Sequence, residues 1–294
     1  MKALVYTDTE ELTYREEKDP IKTEGESILK VHASGICGSD MHAYHGKDER
    51  RVPPLILGHE VSGKILDGKF KDKNAVLNPL ITCGKCEYCS SGREHLCPNR
   101  VLLGMNIPYE RQGAFAELIK VPETNIYEIP DRLNIKESSV AEPTAVSLHA
   151  VLMGENSIKK PLSECRTLVQ GAGAIGLLCS LILSKIKGNT NIVMSDPNKL
   201  RLKECSKYFD AKFVDPTHKE IKNDSFESLS MEDLLRSENN SYHKNTNSFA
   251  DQNNFEQNSR IVDEFDFDED EFLAALEENQ PIGSTGEIAR GSVI

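Results

Sequence analysis

Nowhere in the 294 residues is there an apolar run approaching the roughly 20 positions that a bilayer-spanning helix needs. An α-helical membrane span is therefore excluded. The first residues also lack the basic region, apolar segment and cleavage site of a secretory leader, and Met1 to Tyr6 alternates as a strand does. A disulfide framework is absent as well: four of the eight cysteines crowd into positions 83–97 at short, regular gaps, a pattern of metal-binding thiols. Together these predict a cytoplasmic protein. After Pro216 there is no cysteine at all and little positive charge. Residues 1–216 carry 29 basic and 29 acidic side chains, so the remaining 6 basic and 18 acidic ones place the whole net charge of −12 in the final segment. That segment contains an Asn- and Ser-rich stretch at 237–248, too polar to offset the entropy of ordering. Its residues 263–278 hold nine acidic side chains and no basic one, which repels a phosphate backbone and argues against nucleic acid as a partner.

What is present divides into three parts. Short alternating segments at 3–6, 28–31, 61–66, 75–77, 115–121 and 127–129, punctuated by proline, predict a β-rich domain over 1–152 that includes a helix at 136–152. Pro143 is expected to kink that helix or to mark a break in it. Residues 153–216 then alternate strand 167–170, helix 174–187, strand 191–195, helix 198–209 and strand 211–214, a βαβαβ half of a doubly wound α/β sheet. Residues 217–294 are predicted to be a mostly disordered polar and acidic tail, with short helices at 231–235 and 270–277.

Three constellations carry chemistry. Cys83, Cys86, Cys89 and Cys97 supply four soft thiolates, which close a tetrahedral site and point to structural zinc. A dispersed set follows: Cys37 within Gly35-Ile36-Cys37-Gly38-Ser39-Asp40-Met41-His42, His59 and Glu60 after Gly58, and Glu142 before Pro143. A thiolate, an imidazole and one or two carboxylates can hold a catalytic zinc with room for a substrate oxygen. Singly, each also fits an ordinary structural role. Ser39 and His42 stand near enough to Cys37 to relay a proton, or are simply a loop hydroxyl and a surface imidazole; Asp40 can orient a ligand, cap a helix, or do both. Third, Gly171, Gly173 and Gly176 form a GxGxxG between predicted strand and helix, with Asp196 twenty residues beyond at the end of the next strand. Gly171 permits the turn, Gly173 lets a pyrophosphate reach the helix N-terminus, Gly176 allows close packing, and Asp196 can accept ribose hydroxyls. The Asp196 charge favours NAD over NADP, while nearby Arg201 argues the other way. Cys165, Cys179 and Cys205 are expected to be inert buried thiols.

Over residues 1–216 these motifs, with Gly113-Ala114-Phe115-Ala116-Glu117, Glu142-Pro143 followed by His149, and Asp196-Pro197-Asn198-Lys199-Leu200-Arg201, resemble the zinc-dependent medium-chain dehydrogenases. The resemblance implies a GroES-like catalytic domain followed by a Rossmann domain. It assigns the catalytic zinc to Cys37, His59 and a carboxylate among Glu60 and Glu142, and structural zinc to the four clustered cysteines. Glu142 looks like the sorbitol and threonine dehydrogenase branch, which implies a polyol, sugar alcohol or amino alcohol oxidised with NAD. Members of the family are usually homo-oligomers. Here the pattern stops after 211–215, where three more strands are expected, which argues against full turnover and against the usual oligomer. The last residues, 286–294, vaguely resemble the first strand of a ribosomal RNA-binding OB-fold repeat. The alternative to an enzyme is thus a non-catalytic zinc-binding fragment or chimera with an acidic tail.

Overall fold

The computed structural model describes residues 1–158 and 160–216; the tail and its two predicted helices lie outside the described residues. The first part runs β1 (Lys2–Asp8), β2 (Glu11–Glu16), β3 (Glu26–Gly35), α1 (Gly38–Tyr44), β4 (Leu55–Ile56), β5 (Glu60–Ile65), β6 (Asn74–Leu77) and β7 (Leu80–Ile81). It continues through α2 (Glu87–Ser90), β8 (Val101–Leu102), β9 (Leu118–Pro122) and β10 (Ile126–Glu128). Five strands form an antiparallel sheet in the order β10-β6-β5-β3-β9, with separate sheets β2-β1-β4 and β7-β8. Alternation explains the main core: Leu29 of β3, Val61 and Ile65 of β5, Ala75 and Leu77 of β6, and Ile119 and Val121 of β9 point inward and pack together. The predicted strand at 115–121 begins three residues late, because Phe115 donates its N–H to Leu57 and Leu4 donates to the Phe115 carbonyl, outside the ladder. The sequence pattern did not reveal β2, whose Glu11, Leu12, Tyr14, Arg15 and Glu16 are all exposed.

Two local features aim this sheet at the site. The β3–β5 register shifts between Val31 and Ala33, and beyond the irregularity Gly35 lies directly opposite Glu60. A Cβ on Gly35 would stand 2.1 Å from a Glu60 carboxylate oxygen, so only glycine lets that side chain lie across the strand end.

The second part comprises α3 (Ala141–Ile158), β11 (Thr167–Gln170), α4 (Ala174–Leu181), β12 (Ile192–Ser195), α5 (Lys199–Cys205) and β13 (Lys212–Val214). Its strands are parallel in the order β11-β12-β13, the predicted βαβαβ, and β11 is an edge among the described residues. The predicted helix at 174–187 begins as α4 and ends in a π turn over Ile182–Ile186. Pro143 does not kink a helix. It sits in the first turn of α3, directly after a 3-10 turn at Glu137–Val140, where its missing N–H costs no intrahelical bond. The Pro143 carbonyl accepts from Ser147 Oγ at 2.8 Å. α3 passes without interruption through position 152, where the sequence pattern placed a domain boundary, and packs on both β5 and α4.

At the start of β3 the buried Glu26 carboxylate accepts from Thr23 N (3.0 Å) and Thr23 Oγ1 (2.8 Å) and pairs with Arg111 (2.6 Å). Burial raises its pKa, but Arg111, Thr23 and Lys120 together outweigh burial and hold it at about 2 against an ordinary 4.5. Because the folded value lies below the unfolded one, the carboxylate's contribution is complete above about pH 4.5 and is lost as pH falls through 2. Glu26→Gln is expected to cost about 1.5–3 kcal/mol at neutral pH. Urea unfolding across pH should show the gap between wild type and variant closing below pH 4.5; a gap independent of pH would refute the assignment.

Candidate metal centres and cofactor cradle

The four-cysteine lobe is a loop after β7, folded back by Gly84 and Gly92 at positive φ and by the short α2. Its sulfurs are separated by 3.6 Å (Cys83 and Cys97), 3.5 Å (Cys86 and Cys89) and 4.0 Å (Cys83 and Cys89). Four thiolates about 2.3 Å from a central zinc would stand about 3.8 Å apart, whereas a disulfide needs about 2.05 Å. The spacing fits a tetrahedral cation, and all eight cysteines are free. Backbone N–H groups of Lys85 and Cys86 hold the Cys83 thiol down at about 6. The N–H of Cys89 favours the Cys86 thiolate, yet burial and hydrogen bonds with Cys89, Cys83 and Cys97 push that thiol up to about 11. Four sulfurs this close do not all ionise without a positive charge among them.

The dispersed set also converges. Ligand atoms of Cys37, His59 and Glu60 lie within 4.8 Å of one another. Cys37 is the N-cap of α1, His59 follows the turn at Gly58, and Glu60 opens β5. Gly58 has φ +95°, and a Cβ there would strike the Phe115 ring at 2.5 Å. Asp40, 2% exposed, joins the two loops by accepting from Cys37 N (3.0 Å) and Gly58 N (3.3 Å). It is not the N-cap expected of it but the third helical residue, whose carboxylate reaches back to the Cys37 N-cap amide, and it faces His59, whose Nδ1 is 3.4 Å away. That Nδ1 is buried without a hydrogen-bond partner.

Electrostatics follow from this crowding. Burial lowers the His59 pKa, but Asp40 and Cys37 outweigh it and raise it to about 10, while His59 in turn lowers the Cys37 thiol. Burial raises the Glu60 pKa. Glu142, in the first turn of α3, stands outside the 4.8 Å cluster yet feels it: burial pushes its pKa up to about 7, with His59 opposing and Glu60 and Asp40 adding. Ser39 is half-buried two residues after Cys37, and His42, one turn further along α1, is exposed. Sequence reasoning missed Arg51, whose buried guanidinium reaches Ser39 Oγ at 3.4 Å. No local motif marks it, since beyond the nearby Asp48 its partners Ser39 and Gly104 lie 12 and 53 residues away.

The glycine loop is shaped as its spacing requires. Gly171 has φ +97°, and a Cβ on Gly176 would meet the Gly171 carbonyl oxygen at 1.9 Å, so α4 lies hard against the loop. Around Gly173, the N-cap of α4, a Cβ would meet nothing within 4 Å, which leaves open space above a helix N-terminus. Asp196 is buried; its Oδ2 accepts from Ala172 N and its Oδ1 from Asn198 N, both at 2.7 Å, and Arg201 lies 4.0 Å away. It therefore braces the glycine loop directly. Of the remaining thiols Cys205 is buried as expected, its Sγ on the Ala172 carbonyl, while Cys165 and Cys179 are only half-buried.

Residues 23–131 match the alcohol dehydrogenase GroES-like domain. The L-threonine 3-dehydrogenase of Stenotrophomonas maltophilia (strain K279a) is 32% identical over 247 residues, covering 79% of this chain and 68% of that protein. The chain belongs to the zinc-dependent medium-chain alcohol dehydrogenase family. A second L-threonine 3-dehydrogenase, from Pseudoalteromonas translucida (strain TAC 125), is 33% identical over 61% of this chain, which spans about half, 52%, of its length. Among solved structures, an alcohol dehydrogenase from Escherichia coli CFT073 complexed with NADH superposes with a TM-score of 0.65 at 27% identity, covering 74% of this chain and 63% of that one. The fold is thus the family's α/β arrangement, a GroES-like domain followed by the βαβαβ unit.

The glycine geometry separates two members of one motif. Gly176→Ala is expected to cost about 1–3 kcal/mol of stability because backbone must move, whereas Gly173→Ala should stay within about 1 kcal/mol. Thermal unfolding of both variants checks the contrast, and equal losses would contradict it.

Proposed function

We propose that this chain binds zinc and NAD and oxidises a secondary alcohol: a polyol, a sugar alcohol or an amino alcohol. The observation that carries the reading is the convergence of Cys37, His59 and Glu60 within 4.8 Å, in a molecule that also leaves open space above Gly173. Cys37, His59 and a carboxylate among Glu60 and Glu142 would hold the catalytic zinc; Cys83, Cys86, Cys89 and Cys97 would hold the structural one. When bound, zinc polarises the substrate hydroxyl and the nicotinamide accepts the hydride. Ser39 Oγ receives the hydroxyl proton as its own passes to water beside the exposed His42. Asp40 keeps His59 and the Cys37 loop in register. Gly171, Gly173 and Gly176 shape the pyrophosphate cradle. Asp196 braces it and, buried and anionic, disfavours a 2′-phosphate, so NAD is preferred to NADP despite the exposed Arg201. An amino alcohol or polyol is supported by the threonine dehydrogenase relatives and by a carboxylate at 142. Among the described residues no helix is long and apolar enough to cross a membrane, and a cytoplasmic protein with a small-molecule partner fits the free thiols. The rival reading, a zinc-binding protein without turnover, leaves the pairing of an open mixed cluster with a dinucleotide cradle unused.

Metal analysis of the full chain should find about two zinc ions. Cys37→Ser should remove one with little loss of stability, and Cys97→Ser should remove the other and lower the melting temperature. NAD titration followed by assays with L-threonine and with polyols tests the rest. Zinc-free protein after metal-replete expression would sink both metal assignments, and zinc-loaded protein that binds no NAD would sink the cofactor.

A further inference from the structure

Arg51 lies in the loop between α1 and β4 with its side chain 1% exposed. A guanidinium keeps its proton, so when buried it must be paired on all sides. Its three nitrogens point to three segments: Nη1 donates to the Asp48 carboxylate, Nε to the Gly104 carbonyl at 3.0 Å, and Nη2 to Ser39 Oγ at 3.4 Å. The first two arms are clamped. Asp48 is held by Arg50 as well, and the segment carrying Gly104 is tied to this loop by Asn106, whose side chain accepts from Val52 N (2.9 Å) and donates to Val52 O (2.5 Å). With two arms fixed, the third arrives at Ser39 in one direction. A serine hydroxyl has one proton and two lone pairs. Once Arg51 occupies one lone pair, Ser39 retains one proton to give and one lone pair to receive, the minimum for passing a proton through.

We propose that Arg51 is the positioning residue of the proton relay, fixing the Ser39 hydroxyl so that it takes a proton from one side while releasing its own to the other. Burial excludes Arg51 from contact with substrate, so it acts only through Ser39. The role rests on the alcohol-oxidation reading given above. Lysine keeps the charge beside Asp48 but cannot reach three segments at once.

The test uses the full zinc-loaded chain with isotope-labelled arginine, as wild type, Ser39→Ala, His42→Ala and Arg51→Lys. Buried, hydrogen-bonded guanidinium protons of Arg51 exchange slowly and give resolved NMR signals. Ser39→Ala should shift or broaden one Nη signal and spare Nε, and His42→Ala should spare both. In alcohol oxidation, Arg51→Lys should lower kcat about tenfold with KM changed less than about twofold, and should have almost no effect in the Ser39→Ala background. Arg51 signals indifferent to Ser39→Ala, or the same rate loss in both backgrounds, would overturn the proposal. If Arg51→Lys does not fold, the Ser39→Ala spectrum still decides the contact. A wild type that binds zinc and NAD but turns over no alcohol overturns the alcohol-oxidation reading and the relay role with it, while the spectrum separately reports whether Arg51 holds Ser39.

Discussion

The buried carboxylate of Asp40 is the interaction on which the mixed site depends. It accepts from the amides of Cys37 and Gly58 and faces His59, so one side chain closes the turn before α1 and locates the turn before β5. Without it, the turns that carry thiolate and imidazole, 22 residues apart in sequence, would lose the bonds between their amides and keep the β3–β5 pairing of Gly35 with Glu60. A buried carboxylate is costly to desolvate, and here the cost is offset by backbone donors and by the imidazole that it faces. Every other member of the cluster takes its place from these two turns. Glu60 follows His59 directly, Ser39 lies two residues after Cys37, and Arg51 reaches the cluster through Ser39.

Much of this was legible in the sequence because it is local. The four cysteines span fifteen positions, and the glycine fingerprint is contained within six; both adopt the geometry their spacing demands. The strands of the βαβαβ unit and most of the β-rich domain were visible for the same reason, since a buried face repeats every second residue. Asp40 was partly legible, as a capping residue in the right place. What escaped depends on contacts between distant segments. Arg51 reads as one of two adjacent surface-type arginines, Arg50 and Arg51, until the Gly104 turn is brought over it. Pro143 reads as a helix breaker until the helix is seen to start two residues before it. Asp196 was expected to offer its oxygens to a ribose; that each also accepts from a backbone amide could not be seen without knowing where the glycine loop turns back.

The two carboxylates available to the mixed site differ in what moves them. Glu60 is fixed by β5 and lies over Gly35 in the same sheet, so its place is set by the catalytic domain alone. Glu142 belongs to α3, an 18-residue helix about 27 Å long that packs on β5 near its start and on α4 further along. α4 is the helix whose N-terminus bears Gly173. Glu142 stands just beyond the ligand cluster, pushed toward a neutral carboxyl by burial and by the negative charges of Glu60 and Asp40. A cation held by Cys37, His59 and Glu60 would oppose that effect, since it would attract the anionic form of the group that the carboxylates repel. The second carboxylate is thus placed by a helix that also packs on the glycine-loop helix α4, and the first by the sheet.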